Sequence, residues 1–138
     1  MTFYDYKVNS SKRTWKFNKI VTADVMNIEY IHPLKQKIIV EIVEKAQKDS
    51  GVKSIQVFGS AITNACDFES DLDLCIDWNF DCYDAEGILV PDTVSFMHEI
   101  SMITKGKCDV VHLQYLEGTV VEQDAREGVI VYVYDGQS

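Results

Sequence analysis

Between residues 71 and 78 the chain alternates strictly enough to allow one local structure. Successive side chains of a strand point to opposite faces, so Leu72, Leu74 and Ile76 share one side. Asp71, Asp73, Cys75 and Asp77 share the other. A strand of this kind needs an apolar layer packed on one face of its sheet. Residues 33–49 supply such a layer. Leu34, Ile38, Ile42 and Ala46 stand four apart there, with Ile39 and Val43 beside them, which is the period of an amphipathic helix. Pro33 suits the first helical turn, and Ser50-Gly51 supplies the stop.

The other elements obey the same two periods. Residues 52–58 read as a short strand that runs directly into Gly59-Ser60. Residues 93–104 read as a helix through Val94, Met97, Ile100 and Ile103, ended by Lys105-Gly106. Residues 107–113 form a third strand, 117–127 a short helix, and 129–134 a last apolar strand opened by Gly128. Residues 79–91 are a loop. Near the start, Trp15 and Phe17 alternate with Lys16 as a strand, after a turn at Asn9-Ser10-Ser11. The expected fold class is α+β, a small mixed sheet with helices packed on it. The expected organisation is a single domain over residues 1–138, with 1–30 as an N-terminal extension and 34–134 as the core.

The net charge of −9 argues against a protein that tracks along nucleic acid, which needs a surplus of Lys and Arg. The charge is uneven: residues 1–20 carry +4, which leaves −13 on the remaining 118. No apolar run approaches the roughly 20 residues that span a bilayer, so no membrane partner is expected. The start, Met-Thr-Phe-Tyr-Asp, lacks the pattern of a secretory leader, and the reading is a cytoplasmic protein. Cys66, Cys75, Cys82 and Cys108 match no zinc spacing and no CxxC, and read as free thiols of a reduced compartment.

Asp71 and Asp73 bring two carboxylates to one side of a strand, only a few ångströms apart. Two such charges repel, and a hard divalent cation removes the conflict, since Mg²⁺ takes a few carboxylate oxygens together with substrate phosphates. At the end of the preceding strand, Gly59 allows close backbone approach and Ser60 adds a hydroxyl. A helix starting after Ser60 would also aim free N–H groups at a phosphate. A phosphate cradle facing an acid pair is what transfer from a nucleoside triphosphate requires.

Val57-Phe58-Gly59-Ser60, ten residues, then Asp71-Leu72-Asp73-Leu74 resembles the active-site signature of the polymerase-β-type nucleotidyltransferase superfamily. Over residues 34–134 the chain is most similar to its minimal, single-domain members, the antitoxins paired with toxins of the HEPN type. The resemblance implies that Asp71 and Asp73 hold metal, with two Mg²⁺ ions expected. Asp109, in Lys107-Cys108-Asp109-Val110-Val111, would complete the second metal site and steer the proton of the attacking hydroxyl. Gly59 and Ser60 would bind the nucleotide through its β- and γ-phosphates. One departure stands out: many relatives carry Arg after Gly-Ser, and here Ala61 is next. Residues 54–104 contain no Lys or Arg, so Lys105, Lys107, Arg126 and the basic N-terminal segment are the candidate cations.

Three functions fit these residues. The first is transfer of a nucleoside monophosphate, most simply AMP from ATP, to a hydroxyl of a protein partner; among toxin-paired relatives this is a toxin Tyr. The second sends the same chemistry to a small molecule such as an aminoglycoside. The third keeps the fold as a partner-binding antitoxin module with little or no catalysis. Other polar residues read as structural. Asp67 and Glu69 are solvated loop acids, and Asp77 sits further along the strand. His32, His98 and His112 lack ligand spacing. Cys108 points away from Asp109 into the core, and the aromatic residues at positions 3–17 read as strand packing.

Overall fold

Helix α1 (Pro33–Gln47) begins where the sequence places a proline, and the His32 side chain caps it by accepting a hydrogen bond from the Leu34 N–H at 3.2 Å. Its apolar stripe packs on a four-stranded sheet. The computed structural model describes residues 25–48, 51–81 and 83–134. The strand expected at Trp15 and Phe17, the helix stop at Ser50, and Cys82 lie outside these residues.

Strands β1 (Val52–Phe58), β2 (Leu72–Trp78), β3 (Cys108–His112) and β4 (Val129–Val133) form one sheet in the order β3-β2-β1-β4. β1 pairs antiparallel with both β2 and β4, while β2 pairs parallel with β3. The fold is therefore α+β with a mixed sheet, as expected. A parallel neighbour cannot be reached by a hairpin, and the crossover from β2 to β3 carries helix α2 (Thr93–Thr104).

α1 and α2 cover one face of the sheet. Ile39, Ile42, Val43 and Ala46 of α1 and Phe96 and Ile100 of α2 are buried against Leu72, Leu74 and Ile76 of β2 and against Val52, Ile55 and Val57 of β1. Full burial stabilises each such side chain by about 1.5–3 kcal/mol, so the alternation in β2 decides which face receives the helices. Trp78 closes this layer edge-on to Phe96, with ring centroids 5.9 Å apart. The opposite face carries a smaller cluster in which Phe58 and Cys75 are covered by Leu116 and Ala125. Ala125 belongs to α3 (Glu122–Arg126).

Four features of the structure are not carried by the local sequence patterns. β2 starts at Leu72, so Asp71 stands just before it. Cys75 shares the acids' side of β2, yet it is 1% exposed because the second cluster covers it. The helix expected over 117–127 is confined to one short turn, Glu122–Arg126, since Gly118 takes a positive φ of 82° and breaks the pattern. Val25, Ile28 and Ile31, assigned by sequence to the extension and its border, are buried in the main core. Asn27 ties that stretch to β4, its Nδ2 donating to the Ile130 carbonyl at 2.8 Å. No helix among the described residues is long and apolar enough to cross a membrane.

Leu74 lies at 0% exposure in the middle of β2. Leu74→Ala is expected to cost about 2–5 kcal/mol by the cavity it leaves, read as a lower urea midpoint. Val94→Ala, at a position 78% exposed on α2, should leave that midpoint nearly unchanged.

Candidate functional site

Parallel pairing of β2 with β3 sets Asp73 directly beside Asp109 in register. Register partners on adjacent strands project to the same face about 4.8 Å apart, so the two carboxylates are neighbours by construction. Asp71 sits two residues earlier, exposed, where the chain enters β2. On its other side Asp73 pairs with Phe58, the last residue of β1, which brings Gly59 against it. The Gly-Ser turn, Asp71, Asp73 and Asp109 thus converge at one end of the sheet, beside the Phe58–Cys75 cluster.

Gly59 has a φ of 73°, a backbone conformation that glycine adopts without strain. A Cβ at this position would collide with the Asp73 carboxylate, whose Oδ2 occupies the space beside Gly59. The turn is held from below as well: the His32 N–H donates to the Ala61 carbonyl at 2.8 Å, joining it to the start of α1. Gly59 opens a single 3-10 turn, Gly59–Ile62, and not the α-helix that the phosphate argument envisages. The free N–H groups of one turn remain, without the dipole of a long helix. Ala61 is fully buried in the core, so the position where many relatives carry Arg offers no cation here.

The electrostatics of the acids are unbalanced. Burial first, then the charges of Asp109 and Asp71, raise the Asp73 carboxyl above its ordinary 3.8. The nearest thiol is inert for related reasons: burial, then Asp109, Asp73 and Asp71, push Cys108 up to about 12. Cys75 is raised to about 11, chiefly by burial. Thiols held this high carry almost no thiolate. Cys66, Cys75 and Cys108 are free.

Three carboxylates competing for one end of a sheet have the donor chemistry of a site for a hard divalent cation. Among the described residues, however, no three His, Cys, Asp or Glu side chains converge tightly enough to grip an ion together. Asp71 and the Asp73–Asp109 pair are close in the fold without forming a closed cage. Phosphates and water would complete the coordination of Mg²⁺, which dehydrates reluctantly and takes one or two carboxylates in phosphate-transfer sites.

Among the described residues, two of the candidate cations are engaged elsewhere, and the basic N-terminal segment lies outside the described residues. Lys107 Nζ meets Glu69 Oε2 at 2.8 Å, and Arg126 Nε meets Glu122 Oε2 at 2.9 Å. Next to Gly59 lies a shallow cavity of about 290 Å³ lined by Gly59, Ile62, Thr63, Asp124 and Glu127, with no basic residue among them. The two acids were not marked by sequence reasoning; they arise from the placement of α3 across β1, which local patterning does not reveal. Other polar residues have structural partners. Asp67 Oδ1 accepts from the Glu69 N–H at 2.9 Å and from the Ser70 hydroxyl at 3.0 Å, fixing the loop before Asp71. Asp77 accepts from Gln114 Nε2 at 2.7 Å, and His112 Nδ1 accepts from Trp78 Nε1 at 2.7 Å.

The close approach at Gly59 and the charge on Asp73 can be tested separately. Gly59→Ala should cost about 1–2 kcal/mol from the left-handed backbone alone, and more from the collision with Asp73. In a double-mutant cycle measured by urea unfolding, Gly59→Ala should cost less in the Asp73→Ala background than in the wild type, because the second change removes the colliding atoms. Asp73→Asn tests the charge. A carboxyl that titrates higher when folded than unfolded costs stability as pH rises through that interval. The variant should therefore melt above the wild type at neutral pH without divalent cations. That gain should disappear as pH falls to 3.8, the ordinary carboxyl value.

No curated protein matches the chain in a sequence comparison. Comparison with protein families matches residues 40–137 to the family described as Polymerase beta, Nucleotidyltransferase. The match takes in β1, the Gly-Ser turn, β2 and β3, and therefore each residue gathered at the acidic end of the sheet. With well over half its length covered, the chain belongs to the polymerase-β nucleotidyltransferase family.

Proposed function

We propose that this nucleotidyltransferase moves a nucleoside monophosphate, AMP from ATP, onto a hydroxyl of a protein partner, with a toxin of the HEPN type as the partner that the sequence resemblance points to. The observation that carries the reading is the register pairing of Asp73 with Asp109, beside a glycine that makes room for the Asp73 carboxylate. Asp71 and Asp73 would hold Mg²⁺, and Asp109 would share a second ion. Bound metal would neutralise the triphosphate and polarise the phosphorus under attack. Asp109 would accept the proton of an incoming hydroxyl, and its greater exposure within the register pair supports that role. Gly59 and Ser60 would bind the β- and γ-phosphates, and pyrophosphate would leave as the acceptor oxygen bonds to the α-phosphorus.

A second reading rests on one specific observation. Among the described residues, the cavity beside Gly59 is lined by two acids and no cation, and Ala61 is buried. A protein that used the same surface only to cover its partner would tolerate both features. Titration calorimetry with Mg²⁺–ATP at millimolar concentration separates the two: partner binding without any nucleotide heat would favour the binding module.

The transfer reading predicts label passing from α-labelled ATP to a co-expressed partner, dependent on Mg²⁺. Asp71→Ala and Asp73→Ala should each lower the rate about a hundredfold or more, since metal-borne charge stabilisation amounts to several kcal/mol. Transfer that persists in the double variant would sink the proposal.

A further inference from the structure

On the helix side of the sheet, at the end where β2 and β3 begin, lies a groove of about 320 Å³. Its walls include Lys35, Lys37, Lys105 and Lys107, with Glu41 as the one acid among the described residues, and the exposed Phe68. Four lysines around one groove stand out on a chain of net charge −9. Among the described residues, Lys107 is paired with Glu69, while Lys35, Lys37 and Lys105 form no salt bridge. Lys35 is only 5% exposed, and its Nζ donates to a neutral carbonyl, that of Ser70, at 2.7 Å. Among the described residues no carboxylate is bonded to it. Phe68 is 77% exposed beside these cations, an aromatic ring left in water at the groove's edge.

From this we infer that the groove docks an acidic, extended segment of the acceptor protein, its carboxylates on the lysines and an apolar side chain against Phe68. The inference takes from the proposed function only that the acceptor is a protein. Size and charge both favour this occupant. The volume lies at the lower end of ligand pockets and suits a few side chains of an extended chain, not a folded element. A nucleic-acid strand needs a continuous cationic track. Here the four lysines line one short groove and form no such track. A short acidic stretch needs only the groove itself.

The location links docking to chemistry. Leu72 lines the groove, and its chain neighbours Asp71 and Asp73 belong to the acidic end on the other side of the sheet. Layers pack about 10 Å apart and an extended chain advances about 3.3 Å per residue, so about three residues bridge the two sides. A hydroxyl residue about three positions from the acidic stretch would reach the carboxylates while the stretch stays in the groove.

The test uses a short fluorescent Glu-rich peptide carrying one Tyr, its binding read by anisotropy, with the wild type and with Lys37→Glu and Phe68→Ala. Both substituted side chains lie on the exposed rim, and melting curves check that the variants fold. The wild type should bind the peptide with an affinity that falls with salt, weakened about tenfold by Lys37→Glu and several-fold by Phe68→Ala. A single-stranded RNA of equal charge should not displace it. Absent binding, equal binding by wild type and variants, or displacement by the RNA would overturn the inference. Label transfer from α-labelled ATP distinguishes the two proposals. Peptide binding lost on charge reversal, with no transfer in any setting, keeps the groove and removes the transfer reading. Transfer to a protein acceptor with KM and kcat both unchanged in Lys37→Glu keeps the transfer reading and removes the groove.

Discussion

Everything at the acidic end of this molecule depends on the parallel pairing of β2 with β3. Burial of Leu72, Leu74 and Ile76 under α1 and α2 fixes which face of β2 is dry, and so which face receives the acids. The pairing then sets the register, and a slip of one residue would turn Asp109 to the helix side and bring Cys108 out. An apolar interaction on one face therefore determines a charged geometry on the other. The crossover carrying α2 is the device that makes the pairing possible, so α2 supports the carboxylates from the far side of the sheet.

That geometry brings like charges together, and few cations among the described residues face them. Asp73 is partly desolvated among like charges, and Lys107 and Arg126, two of the candidate cations, are tied to Glu69 and Glu122. Surface ion pairs of this kind contribute little to stability, yet they occupy cations that could have balanced the acids. Local violations of this sort concentrate at functional sites, where charge is arranged for a ligand and not for the isolated chain. Among the described residues, lysines gather on the helix side and acids near Gly59.

Much of this was legible in the sequence because it is local. The alternation of residues 71–78 and the four-residue period of α1 each report burial directly, and α2 falls on Thr93–Thr104 as its pattern indicates. Asp73 could be placed on a face, and Asp109 on a neighbouring strand only through the family resemblance. What local patterns do not carry is which surfaces meet. Cys75 has the spacing of an outward residue and is buried because Leu116 and Ala125 arrive from elsewhere in the chain. Val25, Ile28 and Ile31 lack a clear period, yet they complete the core. Asp124 and Glu127 are ordinary helix-surface acids until α3 lies across β1 beside Gly59. The Lys35 side chain sits on a helix face that reads as solvated, and only the loop carrying Ser70 and Phe68 closes over it.

The gap at Gly59 has a consequence for how such a chain could change over generations. The space is filled by a carboxylate, so the glycine and Asp73 are coupled by volume as well as by any shared chemistry. A lineage that gave up catalysis and kept only a binding surface would gain stability by discarding the partly buried acid, and the cavity so freed would admit a side chain at position 59. Drift would then erase both residues together. A chain in which both are present keeps a glycine and a carboxylate fitted to one another's volume.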